Sequence, residues 1–268
     1  MTALIHPTAV IEDGAKFGRH VKVGPYCVIG ADVRMGDGCE LISHVVITGH
    51  TQLGNNNRVF PFSSIGQIPQ DLKYRGEASE VIMGDNNQIR ENVTINAGTE
   101  GGGMVTRIGN NNLLMAYAHI AHDCILGNGI VLANCATLAG HVEVDDDAII
   151  GGLSAIQQFV RIGRLSMIGG MSGVTKDVAP FTLLAGGYRA GLSGLNIIGL
   201  KRHGFTLARI GILKEVYRLL LQEAGNREDR LLEAESLTPT DDADAHHLIA
   251  FIRAAKRGLM THGRNARR

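Results

Sequence analysis

The chain has 268 residues with 26 acidic and 26 basic side chains, a balance that argues against a nucleic-acid partner. Aromatic residues make up only 4% and tryptophan is absent, which suits a narrow stacked interior with little room for rings. The opening MTALIHPTAV lacks a basic segment followed by an apolar one, and no stretch nears the roughly twenty apolar residues of a membrane span, so neither a leader nor a spanning helix is expected.

From the start an apolar side chain recurs at every sixth position: Ile5, Ile11, Phe17, Val23, Ile29, Met35, Leu41, Ile47, Leu53, Val59 and Ile65. A second run extends from Ile108 through Leu114, Ile120, Leu126, Leu132, Leu138, Val144, Ile150, Ile156, Ile162 and Ile168 to Val174. Four residues after most of these stands a small or β-branched side chain, such as Ala15, Val21, Cys27, Ala118, Val142 or Ser154, with an occasional asparagine (Asn57, Asn112). One large and one small inward residue describe a flat wall. Three walls close a triangular turn of about eighteen residues, and stacked turns pair as parallel strands. A helix of about 3.6 residues per turn would carry such a beat around its surface, and a sandwich would space its turns irregularly. The sequence therefore predicts an all-β solenoid. Glycine or aspartate follows many apolar positions, as in Ile29-Gly30, Met35-Gly36, Leu126-Gly127, Val144-Asp145 and Ile162-Gly163, and these residues are expected to form the tight corners.

Two stretches break the beat. The first, GQIPQDLKYRGEASE after Ile65, is too polar to line a coil, and the phase returns at Met83, Ile89 and Ile95. The second, GTEGGGMVT, precedes Ile108; with no strand–loop–helix context to mark a phosphate loop, its glycines predict a flexible excursion from one corner. Insertions into a solenoid leave as surface loops, where function commonly resides.

The repeat ends near Val174–Val178, with Pro180 at the exit, and the periodicity turns helical. A short helix is expected within 194–203, and one after Thr206 over LARIGILKEVYRLLLQ. Another is expected near 227–236, and a last one after Asp241-Asp242 through HHLIAFIRAAKRG. The division is thus a β-solenoid over 1–187 and an α-helical domain over 188–268, with HGRNARR expected to fray. Cys27, Cys39, Cys124 and Cys135 sit within hexads and form no CxxC pair. They read as small hydrophobes of a chain in the reducing cytoplasm rather than as metal ligands.

HIAHDC and LAGHVEV place three histidines in the second run. His141 follows His122 by one turn plus one residue, so the two are expected on adjacent coils, and His119 ends the preceding hexad. All three occupy non-aliphatic positions and should point outward. Three uses fit them: solvated side chains, metal ligands, or a general base at His122 with Asp123 orienting its ring. With no G-x-S-x-G elbow nearby, direct transfer is favoured over a covalent acyl-enzyme.

The hexads resemble those of the left-handed parallel β-helix, an exception to the right-handed crossover rule, and the handedness is implied by that resemblance. IHPTAVI, IGQIPQDLKY, HIAHDC, LAGHVEVDDDAIIGG and GLKRHGF together resemble the UDP-N-acetylglucosamine O-acyltransferases that open lipid A synthesis, over nearly the whole chain. The resemblance implies a homotrimer with each site in the groove between two solenoids, and neither cofactor nor metal. It implies transfer of an (R)-3-hydroxyacyl group from acyl carrier protein to the glucosamine 3-hydroxyl of UDP-N-acetylglucosamine. In that scheme His122 is the base, Asp123 orients it, and the Gly140 amide is an oxyanion donor. Gln70, Asp71 and Lys73 match sugar- and acyl-contacting positions. His119, His141 and Gln158 match the sugar and diphosphate pocket, and Asn196 and Arg202 the nucleotide end. Gly170 matches the position that limits acyl length, where glycine implies a donor of about twelve to sixteen carbons.

The chain departs from the family pattern at four places. Gln157 stands where histidine is common, Ile198 replaces a glutamate, His203 replaces an arginine, and Asn96-Ala97 replaces a His-Arg pair; the first three bear on the nucleotide and phosphates. Arg161, Arg164, Lys176 and Arg202 are candidate contacts for the acidic carrier protein. The alternatives are a related enzyme with a 3-amino sugar acceptor, a trimeric zinc enzyme resembling γ-carbonic anhydrase, and a β-helix scaffold without activity. The related N-acyltransferases carry an extra N-terminal domain, for which hexads beginning at Ile5 are expected to leave no room.

Overall fold

The computed structural model describes residues 3–187 and 190–262. Most hexads contribute a two-residue strand ending on the apolar residue, and each strand pairs in parallel with the one a turn later, as in Leu4↔Lys22, Val10↔Val28 and Lys16↔Arg34. Among the described residues the strands form three sheets of 11, 9 and 8 members, so the chain winds as a left-handed parallel β-helix of triangular section. We call the walls A, B and C, beginning with Leu4–Ile5, Val10–Ile11 and Lys16–Phe17, and name the edges AB, BC and CA after the walls they join.

The two inward positions of the hexad build the core. Ile29, Ile47, Ile65, Leu114, Ile120 and Leu132 are fully buried, and Val21, Cys27, Val33, Cys39 and Val45 fill the space beside them. Each of the larger side chains contributes about 1.5–3 kcal/mol by leaving water. Leu4 and Ile5 stay exposed, because only one neighbouring coil covers the first. The inward asparagines satisfy one another: Asn57 Oδ1 accepts from the Asn87 backbone N–H at 2.9 Å, Asn87 Oδ1 from Asn112 N–H at 2.9 Å, and Asn112 Oδ1 from Ile130 N–H at 2.7 Å. Buried amides paired in this way add order without an unmet polar group.

The corners correct one expectation. Left-handed backbone falls on the third residue after the apolar one, and there it is adopted by Tyr26, His44, Phe62, Tyr117, Asp123, His141, Leu153 and Phe159 as well as by Gly14, Gly38 and Gly129. The glycines directly after the apolar residues are needed for a different reason. The next coil lies against them: a Cβ on Gly36 would come within 2.7 Å of Gly54, one on Gly54 within 2.8 Å of Gly84, and one on Gly84 within 2.9 Å of Gly109.

Both insertions leave from edge BC. The first connects Ser64–Gln67 of wall B to Glu80–Met83 of wall C, and the second connects Thr94–Asn96 of wall B to Val105–Ile108 of wall C. The second is not the loose excursion its glycines predict: Glu100–Gly102 form a 3-10 turn and Thr99 is buried.

At the far end Thr182–Ala185 extends wall A and pairs antiparallel with Gly191–Leu195, a strand that the helical reading of the tail does not contain. Four helices follow: α1 (Ile197–Arg202), α2 (Leu207–Leu221), α3 (Arg227–Leu237) and α4 (Ala243–Ala254). Thr206 caps α2, accepting from Arg209 N–H at 3.3 Å, and Asp242 caps α4, accepting from Ala245 N–H at 2.9 Å. Leu165 and Phe181 of edge CA share an apolar cluster with Leu200, Ile210, Leu213 and Leu248. Asp244 of α4 pairs with Arg164 at 2.9 Å and with Arg209. The helices therefore rest on edge CA. Of HGRNARR, His262 is held by the Tyr217 hydroxyl at 3.1 Å, and 263–268 lie outside the described residues. No described helix is long and apolar enough to cross a membrane.

Candidate active site

Edge BC carries the histidines. Wall B ends at His119–Ile120, the corner falls at His122-Asp123, and wall C resumes at Ile125–Leu126. One turn on, the corner is Gly140-His141, and after another it is Gln158-Phe159. The His141 and Phe159 rings stack at 4.3 Å. His122 and His141 lie on adjacent coils with ring centroids 5.0 Å apart, nearly perpendicular, and the His141 backbone N–H donates to the His122 carbonyl at 3.0 Å. Their side chains are 14% and 20% exposed, so both rings sit half-sheltered at the surface of the coil.

Asp123 is the buried centre of this corner, its side chain 0% exposed. Its Oδ2 accepts from His122 Nδ1 at 2.7 Å and from the Thr99 hydroxyl at 2.6 Å, while Oδ1 accepts the Thr99 N–H at 2.8 Å. Its own N–H donates to Thr106 Oγ1 at 2.8 Å. A carboxylate only accepts, so the shared hydrogen sits on His122 Nδ1, and in the neutral imidazole Nε2 then carries the lone pair.

Gly140 lies against that ring. A Cβ there would fall 2.5 Å from His122 Cε1 and 2.6 Å from Nε2, so the imidazole can occupy this place only over a glycine. At the matching corners of edge CA, a side chain of the next coil caps each amide: Asp37 caps Arg19, Asp85 caps Asn55 and Asp146 caps Asn128. Among the described residues the Gly140 amide has no such partner.

The neighbouring groups shape the electrostatics. His119 Nδ1 bonds the Thr94 hydroxyl at 2.7 Å; burial first, then the charge of His122, holds its pKa below the usual histidine value. Burial also lowers the pKa of His141, with Asp123 opposing and His122 reinforcing the shift. In the first insertion Asp71 Oδ1 accepts from the Lys73 N–H at 2.9 Å. That bond is the largest cause holding its carboxyl below the usual range, and the charges of His122, Lys73 and His141 add to it. Gln70, Lys73 and Gln158 are exposed on the same edge. The two insertions also touch: Glu77 Oε1 accepts from Glu100 N–H at 3.3 Å.

Other expected positions lie elsewhere on the prism. Asn196 caps α1 at edge CA, its Oδ1 accepting from Gly199 N–H and its Nδ2 donating to the Leu165 carbonyl, both at 3.0 Å. Arg202 and Ile198 are exposed on α1, and His203 reaches Asp147 at 3.7 Å. Gly170 is exposed on edge AB, where a Cβ would stand 3.2 Å from the Gly152 carbonyl oxygen. One chain does not bring Asn196, Arg202 or Gly170 to its own histidines. Arg164 is engaged by Asp244, and Arg161 by Glu143 at 3.4 Å and the face of Phe251, while Lys176 and Arg202 stay exposed. Asn96, buried on edge BC, donates to the Ile68 carbonyl at 3.2 Å.

Thr99, Gly102, Thr106 and Phe159 are the residues of this corner that the motifs do not name. The available signal was positional, since both insertions interrupt the hexads between walls B and C, at the point of the turn that His122 occupies two coils after the first. His122, Asp123 and His141 each offer a ligand atom within 4.8 Å of the others. The Asp123 oxygens, however, already accept from three donors, one of them His122 Nδ1, an arrangement suited to proton transfer rather than to tetrahedral zinc.

Residues 106–140 match the bacterial transferase hexapeptide family of six repeats, and residues 177–260 match the family described as UDP-N-acetylglucosamine O-acyltransferase, domain 2. The solved UDP-N-acetylglucosamine O-acyltransferase of Moraxella catarrhalis is 41% identical, with a TM-score of 0.91, over 96% of this chain and 99% of that one. The chain belongs to the UDP-N-acetylglucosamine O-acyltransferase family. The acyltransferases of Bacteroides fragilis (40% identity, TM-score 0.91, 96% and 100% covered) and Campylobacter jejuni (39%, 0.90, 96% and 99%) agree with it. It is an acyltransferase, and neither the zinc-enzyme nor the amino-sugar alternative is favoured. For such a family member, edge BC offers an imidazole, a buried counter-charge and an uncapped amide on two adjacent coils.

Proposed function

We propose that the chain transfers an (R)-3-hydroxyacyl group from acyl carrier protein to the glucosamine 3-hydroxyl of UDP-N-acetylglucosamine, the first step of lipid A synthesis, in the cytoplasm. The observation that carries this reading is the His122–Asp123 pair, with Nδ1 donating to a buried carboxylate and the imidazole packed over the Cα of Gly140. His122 Nε2 takes the 3-hydroxyl proton as the sugar oxygen attacks the thioester carbonyl. The Gly140 N–H meets the charge that develops on the carbonyl oxygen. Asp123 steadies the imidazolium, which gives its proton to the departing carrier thiol as the tetrahedral adduct collapses to the ester. Gln70, Asp71 and Lys73 hold the sugar and the acyl chain from the first insertion, and His119, His141 and Gln158 hold the sugar and diphosphate.

The working unit in this reading is a homotrimer, with Asn196, Arg202 and Gly170 of one copy serving the histidine corner of another. Two features support it. The expected site residues are spread over three edges of one prism, and edge AB carries a column of exposed apolar side chains, Tyr26, Phe62, Tyr117, Leu153 and Met171. A ring of copies would shelter that column. Carrier-bound donors of graded length, offered with UDP-N-acetylglucosamine or its 3-amino analogue, test the assignment. The 3-O-ester should form, fastest with donors of about twelve to sixteen carbons. Turnover confined to ten carbons or fewer would overturn the length assignment, and a preference for the amino sugar would overturn the acceptor.

A further inference from the structure

The glycine-rich insertion has a contact that the acyl-transfer scheme leaves unused. Thr99 stands at the N-cap of the Glu100–Gly102 turn, a position where a threonine hydroxyl commonly accepts from the helix amides. Here it makes no such cap. It donates instead to Asp123 Oδ2 at 2.6 Å, while its N–H donates to Oδ1 at 2.8 Å. Both carboxylate oxygens are thereby pinned, and with them the rotation of the carboxylate about its last side-chain bond. The oxygen left facing His122 Nδ1 is a defined one.

The glycines of the run are not equivalent. A Cβ on Gly102 would overlap the carboxylate carbon and both oxygens of Asp123, whereas a Cβ on Gly101 would meet nothing within 4 Å. Gly103 is required for a separate reason, its left-handed backbone at φ 92°. The turn is held in place by Met104 N–H donating to the Thr99 carbonyl at 2.9 Å and by Glu77 of the other insertion accepting from Glu100 N–H.

We infer that Thr99 and Gly102 are positioning residues for the transfer reaction: the insertion closes over Asp123 and fixes the carboxylate that orients His122. This rests on the reading of His122 as the base. A buried carboxylate keeps its charge only with donors around it, and reacting groups must be held to within a fraction of an ångström. Losing the Thr99 hydroxyl should therefore slow the chemical step without weakening substrate binding.

The test compares Thr99→Val, Thr99→Ser, Gly102→Ala, Gly101→Ala and His122→Ala in the full-length enzyme, by steady-state kinetics and thermal melting. Thr99→Val and Gly102→Ala should each lower kcat about ten- to a hundredfold, with KM for the sugar nucleotide within about twofold of wild type. Thr99→Ser should recover most of the rate, and Gly101→Ala should behave as wild type. Wild-type kcat in Thr99→Val, beside an inactive His122→Ala, would overturn the positioning role while leaving the base assignment intact. An active His122→Ala would instead remove the reading on which the inference rests. Loss of the folding transition in both Thr99→Val and Gly102→Ala would assign the insertion to the fold rather than to the chemistry, and would equally overturn it.

Discussion

An imidazole that is to take a proton at one nitrogen needs the other held by an acceptor, and His122 meets that need through a residue directly beside it in sequence. The adjacency works because the corner between them is tight: Asp123 takes the left-handed backbone conformation and its side chain is fully buried, while His122 stays at the surface. The same crowding acts on the flanking histidines. His119 and His141 both have pKa values lowered mainly by burial, so folding disfavours their protonated forms. Below the ordinary histidine value of about 6.5 the unfolded chain binds more protons than the folded one, so their contribution to stability is complete above that pH. It is lost as pH falls through their folded values. Melting curves between pH 8 and 5 should thus show the transition dropping below about pH 6.5, with a shallower drop in His119→Gln. A transition that stays level or rises over that interval would contradict this.

At the scale of the element, the two-residue strand repeats because each hexad buries one large and one small side chain, and that pattern was readable directly. Ile29, Ile47 and Ile120 are buried where the beat puts them. The histidine corner was readable too, since His122 and His141 follow from the length of one turn. What was not legible depends on partners distant in sequence. Thr99 meets a carboxylate 24 residues away, so its glycine-rich neighbourhood looked like slack chain. Gly191–Leu195 is a strand only because Thr182–Ala185 lies beside it, and the glycines after the apolar residues answer to the coil beneath rather than to their own turn. Two of the helices were visible through their first residues, Thr206 before α2 and Asp241-Asp242 before α4. Asp242, which caps α4, supports a helix docked on edge CA through Asp244, so Asp242→Ala should cost about 1 kcal/mol in denaturant unfolding. Its kcat should be unchanged. A parallel loss of rate would mean that edge CA is coupled to the chemistry in a way the cap alone does not explain.

Across the whole molecule, the triangular coil distributes function by edge. Edge BC carries the two insertions and the histidine corners, edge CA seats the helices and Asn196, and edge AB presents Gly170 along its exposed apolar column. A second copy that set its AB and CA edges beside the first copy's BC edge would join these parts into one groove. In the proposed trimer each histidine corner would turn over through its own His122 Nε2. The most direct test is kcat for acyl transfer to UDP-N-acetylglucosamine by His122→Ala, measured on protein whose oligomeric state and melting match wild type. The rate should fall by about 10²–10⁴, the usual worth of a general base, and a rate preserved to within about tenfold would contradict the assignment of His122.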